Sequence, residues 1–598
     1  MRSYHVLSKN HRNSIPTRII FYDTETFLIP DKENPDITKH KFMMVSGCFV
    51  RITKDIEREE WITTKKLEEF HQWILKHSFS KTRLYVIAHN QNYDMIVAKI
   101  FPFFEDEGFK IKLLVIDSGK IIISFVKGSK TIVFLDSLNW FKFPLKVLGE
   151  SIGIEKLEMP KQNDSDEKWN EYNRNDVVIL KKYFLNYLMW LQKNDMGNFG
   201  FTLPSQSFNA FRHRFMKFPI HIHNDENAIK LERMSYHGAR TDCFRIGEYF
   251  DKIYDLDVNS MYPSVMVDER YPTRLIGKLY TLEPESIYKK IQDGYCVIVK
   301  VYVNTDIPVF CFKNKNNKLI FPTGRFETVL TTKEFEFAYE NNLIEKVIEG
   351  NIYDSEYLFL DFVRFMYGKR QESKKNCDIV GTQFYKLILN SLYGKFGQQI
   401  QQFQEFDGNG IIPSGSGTYF DTVKNKRKSI KYINEQSFIE TEKEESYNSF
   451  CAIASHVTAN ARMLLWKYIS IAKTENVFYC DTDSIFTNET GHENLKEYCD
   501  ENKLGLLKLE NTENYLKING LKDYVLGDMV RLKGISLKNS KQLSKNKYEI
   551  TIWRKLRSMI NKKNLSEYYT EKSSKTLQRN YDKGIVLDSG IVKPIHIV

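Results

Sequence analysis

The sequence predicts a multidomain chain of the α/β (α+β) class. Three observations carry that prediction. Apolar, β-prone runs at 19–27, 85–95, 253–258 and 476–486 each lead into acidic residues. Helical spacing marks 171–180, 354–375 and 382–396 between them. A length of 598 residues leaves room for several cores, and a hydrophobic content of 42% argues against extensive disorder.

IIFYDTETF (19–27) ends an apolar strand with Asp23 and Glu25, which strand alternation projects to the same face. YVIAHNQNYDM (85–95) repeats the pattern, its strand running into Asn90, Tyr93 and Asp94. In EYNRNDVVIL (171–180), Tyr172 and Asp176 lie four apart and share one face of a predicted helix. The four carboxylates Asp23, Glu25, Asp94 and Asp176 suffice for two metal ions. Singly, Asp-Thr-Glu or Tyr-x-x-x-Asp is a weak signal; three such segments in order, ahead of a second acidic set, are a strong one. MSYHGARTDCF (234–244) follows, where Gly238 permits close approach to a phosphate and Arg240 can add charge.

IYDLDV (253–258) and NVFYCDTDSIF (476–486) read as buried strands, the second turning tightly at Asp481–Ser484. Carboxylates there are costly unless compensated, and the usual compensation is a divalent cation; Mg²⁺ prefers oxygen ligands and keeps its waters and substrate phosphates. Two such ions about 3.5–4 Å apart serve an in-line phosphoryl transfer. Asp257 and Asp483 are the expected ligands, with Asp481 as their neighbour. In KLILNSLYGKFG (386–397), Lys386, Asn390, Tyr393, Gly394 and Gly397 recur at offsets of three and four and share a helix face. Lys386 can neutralise phosphate charge, Tyr393 can pack on a nascent base pair, and Gly394 lets a backbone come close. The helix before it offers Lys369, Arg370, Lys374 and Lys375 to a triphosphate. Together these segments read as a nucleotide polymerase active site.

The ordered trio DLDVNSMYPS (255–264), KLILNSLYGKFG and YCDTDSIF (479–486) resembles family B DNA polymerases, and its wording is similar to the protein-primed branch of phages, adenoviruses and linear plasmids. The resemblance runs from Asp23 to the C terminus. It implies an RNase H-like 3′–5′ exonuclease domain followed by a right-hand polymerase with palm, fingers and thumb. The implied boundaries are 1–190 for the exonuclease, 191–250 for a linker into the palm, 251–360 for palm with motif A and a possible first insertion, and 361–400 for fingers with motif B. A second insertion at 401–450, palm with motif C at 451–534 and a thumb at 535–598 complete the order.

Residue roles follow from the same resemblance. Tyr262 takes the place of the tyrosine that excludes a ribose 2′-hydroxyl, and the backbone around Val258 completes metal binding. Asp257, Asp481 and Asp483 are the catalytic acids of the polymerase; Lys386, Asn390, Tyr393 and Arg370 contact the dNTP. In the exonuclease, Tyr172 helps to orient water, and Lys156, with Lys161 close by, matches a family lysine. Asn90, Tyr93, Ser137, Leu138 and Phe143 match positions that grip single-stranded DNA, where ring stacking is sequence-tolerant. Tyr236, Gly238 and Ala239 match a Tyr-x-Gly-Gly or Tyr-x-Gly-Ala motif touching the template. Lys522 and Tyr524 match Lys-x-Tyr, which a strand would aim at the primer terminus; Gly394 also faces DNA. The cofactor implied is Mg²⁺, two ions per site, with Mn²⁺ able to substitute. The partners implied are DNA template and primer, dNTPs and a separate terminal protein, since Tyr22 leaves no room for one ahead of it.

Three readings from different classes stand: a proofreading replicase, a repair nuclease or a family B enzyme using ordinary nucleic-acid primers or ends, and a catalytically silent scaffold. The intact acids argue against the last. Lys plus Arg at 87 against Asp plus Glu at 76 gives +11, a field that favours polyanions. Eight scattered cysteines without Cys-x-x-Cys predict reduced core residues. No apolar run reaches membrane-spanning length, so the expectation is a soluble intracellular protein of cytoplasm or nucleoid. Arg2, Lys9, Arg12 and Arg18 precede the first acid and leave a mitochondrial leader open, with a short basic arm preferred.

Overall fold

The computed structural model describes the chain apart from residues 1, 54–55, 118, 402, 406–414, 423–424, 434 and 563. Strand β1 (Arg18–Pro30) pairs antiparallel with β2 (Ile37–Ile52) and parallel with Arg83–Ala88. Its first half is buried through Ile19, Ile20, Phe21 and Tyr22, and its second half runs out into the acids. Helix α1 (Gln91–Val97) carries Asp94. Helix α2 (Asp166–Lys193) begins with Asp166 and Glu167 in its first turn, favourable at a helix N-terminus, and packs against β1 and β2. The expectation of a helix at 171–180 therefore understates an element of 28 residues.

The sheet built on β1 has ten strands among the described residues. Its far side comes from the C-terminal part of the chain: Tyr568–Thr576 pairs with β2 through His40↔Tyr568, and Lys547–Trp553 and Ser540–Ser544 follow. The segment expected as one thumb, 535–598, is thus divided. Its hairpin covers an edge of the exonuclease-side sheet that would otherwise be open to pairing. The remainder returns: His596–Ile597 lies parallel to Thr323–Thr331, and the Tyr581 hydroxyl accepts from the Cys243 N–H at 3.2 Å. The N-terminal residues also leave the expected 1–190 unit, because His5–Leu7 pairs with Ile220–Ile222.

The second large sheet is antiparallel, in the order Thr241–Cys243, β4 (Val477–Asp481), β5 (Ser484–Thr487), β3 (Ile253–Val258) and Leu507–Glu513. Residues 271–356 supply two helices and four strands of a five-stranded sheet, whose fifth strand is His596–Ile597, and their apolar side chains join the main core. Helices α3 (Leu360–Lys375) and α4 (Ile379–Phe396) make the expected hairpin, α4 being capped by the Asp378 carboxylate, which accepts from the Gly381 N–H at 2.8 Å. Cys377 in that turn is exposed, against the expectation that the cysteines are core residues; Cys499 is half-buried and the other six are buried. Across the expected boundary at 401, Gln399–Ile400 pairs with Glu444–Glu445, and the described residues between them include a four-stranded sheet. Part of the turn-rich DGNGIIPSGSGTY, residues 407–414, lies outside the described residues.

One contiguous apolar core runs from Trp140 and Phe184 through Phe211 to Phe396, Leu389 and Val258. Helix α5 (Cys451–Ala472) crosses it, buried on nearly every face. It carries one charge into the interior: Arg462 Nη2 meets Glu334 Oε1 at 2.8 Å, and Nη1 donates to the carbonyls of His237 and Gly238 at 3.1 Å each. Glu334 also accepts from the Thr331 N–H at the start of Thr332–Glu340. Breaking a buried pair from one side leaves an unpaired charge. Glu334→Gln, which keeps the cap acceptor, is expected to cost about 3–5 kcal/mol in urea denaturation; a loss below about 1 kcal/mol would mean that Arg462 finds another partner.

Candidate active sites

Two acidic centres form, one on β3 and the β4–β5 turn and one on β1 and α2. In the first, β3 pairs with β5 so that Asp257 lies opposite Ser484, and the β4–β5 turn closes with Thr482 at φ 66°. The Val258 N–H donates to the Asp483 carbonyl at 2.8 Å, which fixes the turn on β3. Burial and then the neighbouring Asp483 push Asp257 up to about 7; burial also raises Asp483, and the charge of Lys386 opposes both shifts. Arg370 donates to the Ser260 hydroxyl. Asp257, Val258, Asp483, Lys386 and Arg370 are therefore brought together as expected.

Aromatic rings close this centre. Tyr262 and Tyr393 stack with centroids 4.8 Å apart and planes at 24°. A Cβ at Gly397 would stand 2.7 Å from the Tyr236 ring, so glycine is required there by packing. At Gly394 and Gly238 a Cβ would meet nothing within 4 Å, and both are exposed: packing within the protein does not demand glycine at either. Asn390 and Ala239 are half-buried on the same margin.

Several expectations change here. Asp481 does not turn its carboxylate to the pair; it accepts from Lys522 Nζ at 2.7 Å and the Thr241 hydroxyl at 3.1 Å. Lys522 and Tyr524 do not share a strand face. The tight hairpin between Leu516–Gly520 and Asp523–Leu526 leaves Lys522 in the turn at φ 57°, while Tyr524 packs 5.4 Å from Tyr479 and 5.3 Å from Phe486. Arg240 is not available to a phosphate. It is 2% exposed, paired with Asp242 at 2.9 Å and 4.2 Å from the Phe321 ring centroid. Of the four basic residues expected to face a triphosphate, Lys369 pairs with Glu372 at 2.8 Å, Lys374 donates to the Asn502 side chain at 3.3 Å and Lys375 is exposed, while Arg370 reaches the Ser260 hydroxyl. Glu510, whose charge acts on Asp255, Asp257 and Arg370, escaped sequence reasoning; its signal is the alternation of LKLE (507–510) in the strand paired with β3.

In the second centre, carboxylate oxygens of Asp23, Glu25 and Asp176 all lie within 4.8 Å of one another. Asp94 stands beside them but is held by the Thr24 N–H at 3.1 Å and hydroxyl at 2.7 Å. Burial, then mutual repulsion, pushes Glu25 up to about 8 and Asp23 well above the ordinary range, and burial raises Asp94 to about 7. Lys156 pairs with Asp176 and donates to the Tyr172 hydroxyl at 3.0 Å, which distinguishes it from exposed Lys161. Asp176 Oδ1 is buried without a hydrogen-bond partner. An all-oxygen donor set with an orphaned buried oxygen fits a hard divalent cation.

Around this centre, Asn90 is exposed at φ 88°, Tyr93 shares hydrogen bonds with Thr26 (2.6 Å) and His40 (3.1 Å), and Leu138 and Phe143 are half-buried. Ser137 differs from expectation: it is 0% exposed with its hydroxyl 2.7 Å from His89 Nδ1, so it braces the loop from within. Two residues escaped sequence reasoning. Asp136 Oδ1 accepts from the Asn90 and Leu138 N–H groups at 3.1 and 2.9 Å, tying both loops. Asn173 donates to Asp23 Oδ2 at 2.8 Å. The first is legible as an aspartate cap after a strand, the second as the i−3 neighbour of Asp176.

The raised acids set a pH dependence. Asp257 is protonated in the metal-free fold and ionised in the unfolded chain, so its penalty grows from about pH 4 to about pH 7 and is full above that. Asp257→Asn cannot ionise. Without metal, its melting temperature is expected to exceed that of wild type by a margin that widens from about pH 5 to about pH 8 and narrows on adding Mg²⁺; a constant margin would contradict the burial of Asp257.

A family model, DNA polymerase type B, organellar and viral, matches residues 146–501, more than half of the chain. The chain is 28% identical over 428 residues to the DNA-directed DNA polymerase of Enterobacteria phage PRD1, covering 68% of this chain and 69% of that one. It is 25% identical over 520 residues to the DNA polymerase of Bacillus phage M2, covering 77% and 80%. Phi29 DNA polymerase complexed with primer-template DNA and incoming nucleotide superposes with a TM-score of 0.67 at 18% identity, covering 94% of this chain and 100% of that one, a likeness of fold with exonuclease, palm, fingers and thumb. No helix among the described residues is long and apolar enough to cross a membrane. The chain belongs to the organellar and viral type B DNA polymerases, enzymes that are DNA-directed DNA polymerases.

Proposed function

We propose that this polymerase extends a DNA primer with dNTPs at the Asp257–Asp483 centre and edits the product 3′ to 5′ at the Asp23–Glu25–Asp176 centre. The observation that carries the reading is the meeting of Asp257 and Asp483 with Lys386, two carboxylates and one cation from three separate segments. Mg²⁺, two ions at each centre, would supply Lewis acidity toward the attacking hydroxyl or water and the leaving oxygen, with Mn²⁺ able to substitute.

Asp257, Asp483 and the backbone at Val258 hold the cations. Lys386 and Arg370 take the charge of the triphosphate, and Asn390 lines the same face. Tyr262, seated on Tyr393, excludes a 2′-hydroxyl, while Tyr393 meets the nascent pair. Asp481 acts by fixing Lys522 near the primer terminus. Tyr236, Gly238, Ala239 and Gly394 present backbone and ring to the duplex. At the editing centre Asp23, Glu25, Asp176 and, behind them, Asp94 hold the cations. Lys156 and Tyr172 orient the water, and Asn90, Tyr93, Leu138 and Phe143 hold the frayed strand over a loop braced by Ser137. The insertions at 271–356 and 401–450 surround DNA and support strand displacement. Priming by a separate terminal protein rests on the wording of the motifs.

Extension of a primed single-stranded circle with Mg²⁺ and all four dNTPs, without helicase or clamp, tests this reading. Products far longer than one circle support a strand-displacing replicase; short fill-in removes the insertion model; degradation without synthesis favours a nuclease. Asp257→Ala or Asp483→Ala should reduce extension by more than the about 10- to 100-fold that loss of an outer-shell partner costs, and spare exonuclease activity. Asp23→Ala with Glu25→Ala should do the reverse. One substitution that abolishes both activities in a folded protein would refute two separate centres. Tyr262→Val should raise GTP use relative to dGTP, and an unchanged ratio removes Tyr262 from sugar selection.

A further inference from the structure

We infer that Trp190, on the helix that carries the editing residues, is a positioning residue for the polymerase's nucleotide site, acting through Tyr385. Helix α2 bears Tyr172 and Asp176 near its start and Tyr187 and Trp190 near its end, and the 14 residues from Asp176 to Trp190 span about 21 Å. The Trp190 indole N–H donates to the Tyr385 hydroxyl at 2.8 Å. Tyr385 directly precedes Lys386 on α4, the helix whose next turns bear Asn390 and Tyr393.

The contact is built for orientation rather than as general packing. Trp190 lies edge-on to Phe384 with centroids 5.3 Å apart at 86°, and Tyr187 meets the same ring at 5.9 Å and 74°. Tyr385 is 8% exposed, so its hydroxyl has an indole where water would otherwise be needed. Beside this seam the two elements do not close: a cavity of about 270 Å³ separates Ser151 and Tyr183 from Ser373, Asp378 and Gly381 at the tip of the α3–α4 hairpin. One turn further along α4 the Ser207 hydroxyl donates to the Ile388 carbonyl at 2.8 Å, so the indole–phenol bond is the polar tie of the half of α4 that borders the gap. A shift of that half moves Lys386 relative to Asp257 and Asp483, whose charges it offsets. A hydrophobic seam alone would hold this half of α4 near α2 without a preferred direction; the indole–phenol bond supplies one.

The inference rests on Lys386 binding the incoming nucleotide. Primer extension by the full chain with Mg²⁺ is measured against dNTP concentration for Tyr385→Phe, Trp190→Phe, the double Phe variant and Lys386→Ala, with single-stranded exonuclease activity and melting temperature alongside. Each single Phe variant leaves one polar group unpaired and is expected to raise KM for dNTP about two- to tenfold, with kcat and exonuclease activity within about twofold. The double variant should raise KM less than the sum of the single effects, since no group is then left unpaired. Unchanged KM in all three Phe variants, with Lys386→Ala raising it, overturns the positioning role while Lys386 stands. Unchanged KM in Lys386→Ala refutes the Lys386 assignment instead, and a KM rise in the Phe variants then places the effect on Asn390 or Tyr393. A drop in melting temperature with unchanged KM reduces the contact to packing.

Discussion

Carboxylates pressed together out of water are the constraint on which the architecture turns. Asp23, Glu25 and Asp176 on one side, and Asp257 with Asp483 on the other, repel one another where burial already disfavours charge. No local segment would adopt either arrangement alone. They persist because each acid sits on an element whose position is fixed by something else. The β3–β5 pairing is locked by the Val258–Asp483 backbone bond, and α2 is packed on β1 and β2. Basic groups are placed to offset the charge without occupying the acids fully: Lys156 at one centre, Lys386 at the other. That leaves each centre short of positive charge, the condition under which a divalent cation binds.

Long-range polar contacts hold these elements in common. Arg462 reaches from α5 to Glu334 in the first turn of Thr332–Glu340 and to the carbonyls of His237 and Gly238, so three sequence-distant segments share one guanidinium. Asp136 binds the loops of Asn90 and Leu138 together, and Trp190 joins α2 to α4. One apolar cluster reaches both centres, through Phe21 and Val177 beside the Asp23–Glu25–Asp176 centre and Val258 beside the Asp257–Asp483 centre. Neither the N-terminal residues nor the C-terminal ones respect the boundaries drawn along the chain, because each finds its apolar or hydrogen-bonding partner elsewhere: His5–Leu7 on Ile220–Ile222, and Tyr568–Thr576 on β2.

Sequence reasoning worked where chemistry and spacing coincide within a few residues. Asp23 and Glu25 alternate on a strand, Tyr172 and Asp176 lie one helical turn apart, and Lys386, Asn390 and Tyr393 repeat along one face; each pattern is local. It erred where the outcome depended on a partner far along the chain. Arg240 reads as a phosphate contact until Asp242, Phe321 and Trp466 enclose it. Ser137 reads as a DNA contact until His89 takes its hydroxyl, and Asp481 reads as a catalytic acid beside the metal ligands until Lys522 takes its carboxylate from 41 residues away.

The sequence by itself determined the acids, their order, the helices and strands that bear them and the family to which they point, since periodicity and motif spacing are properties of short segments. Tertiary structure alone decided which acids meet and which charges are already spent. It also decided that the C-terminal hairpin completes the sheet built on β1 and that the helix bearing Tyr172 and Asp176 touches the one bearing Lys386. The physical reason is that burial and ion pairing are set by what arrives from elsewhere in the chain, and a side chain's type does not name its eventual neighbour.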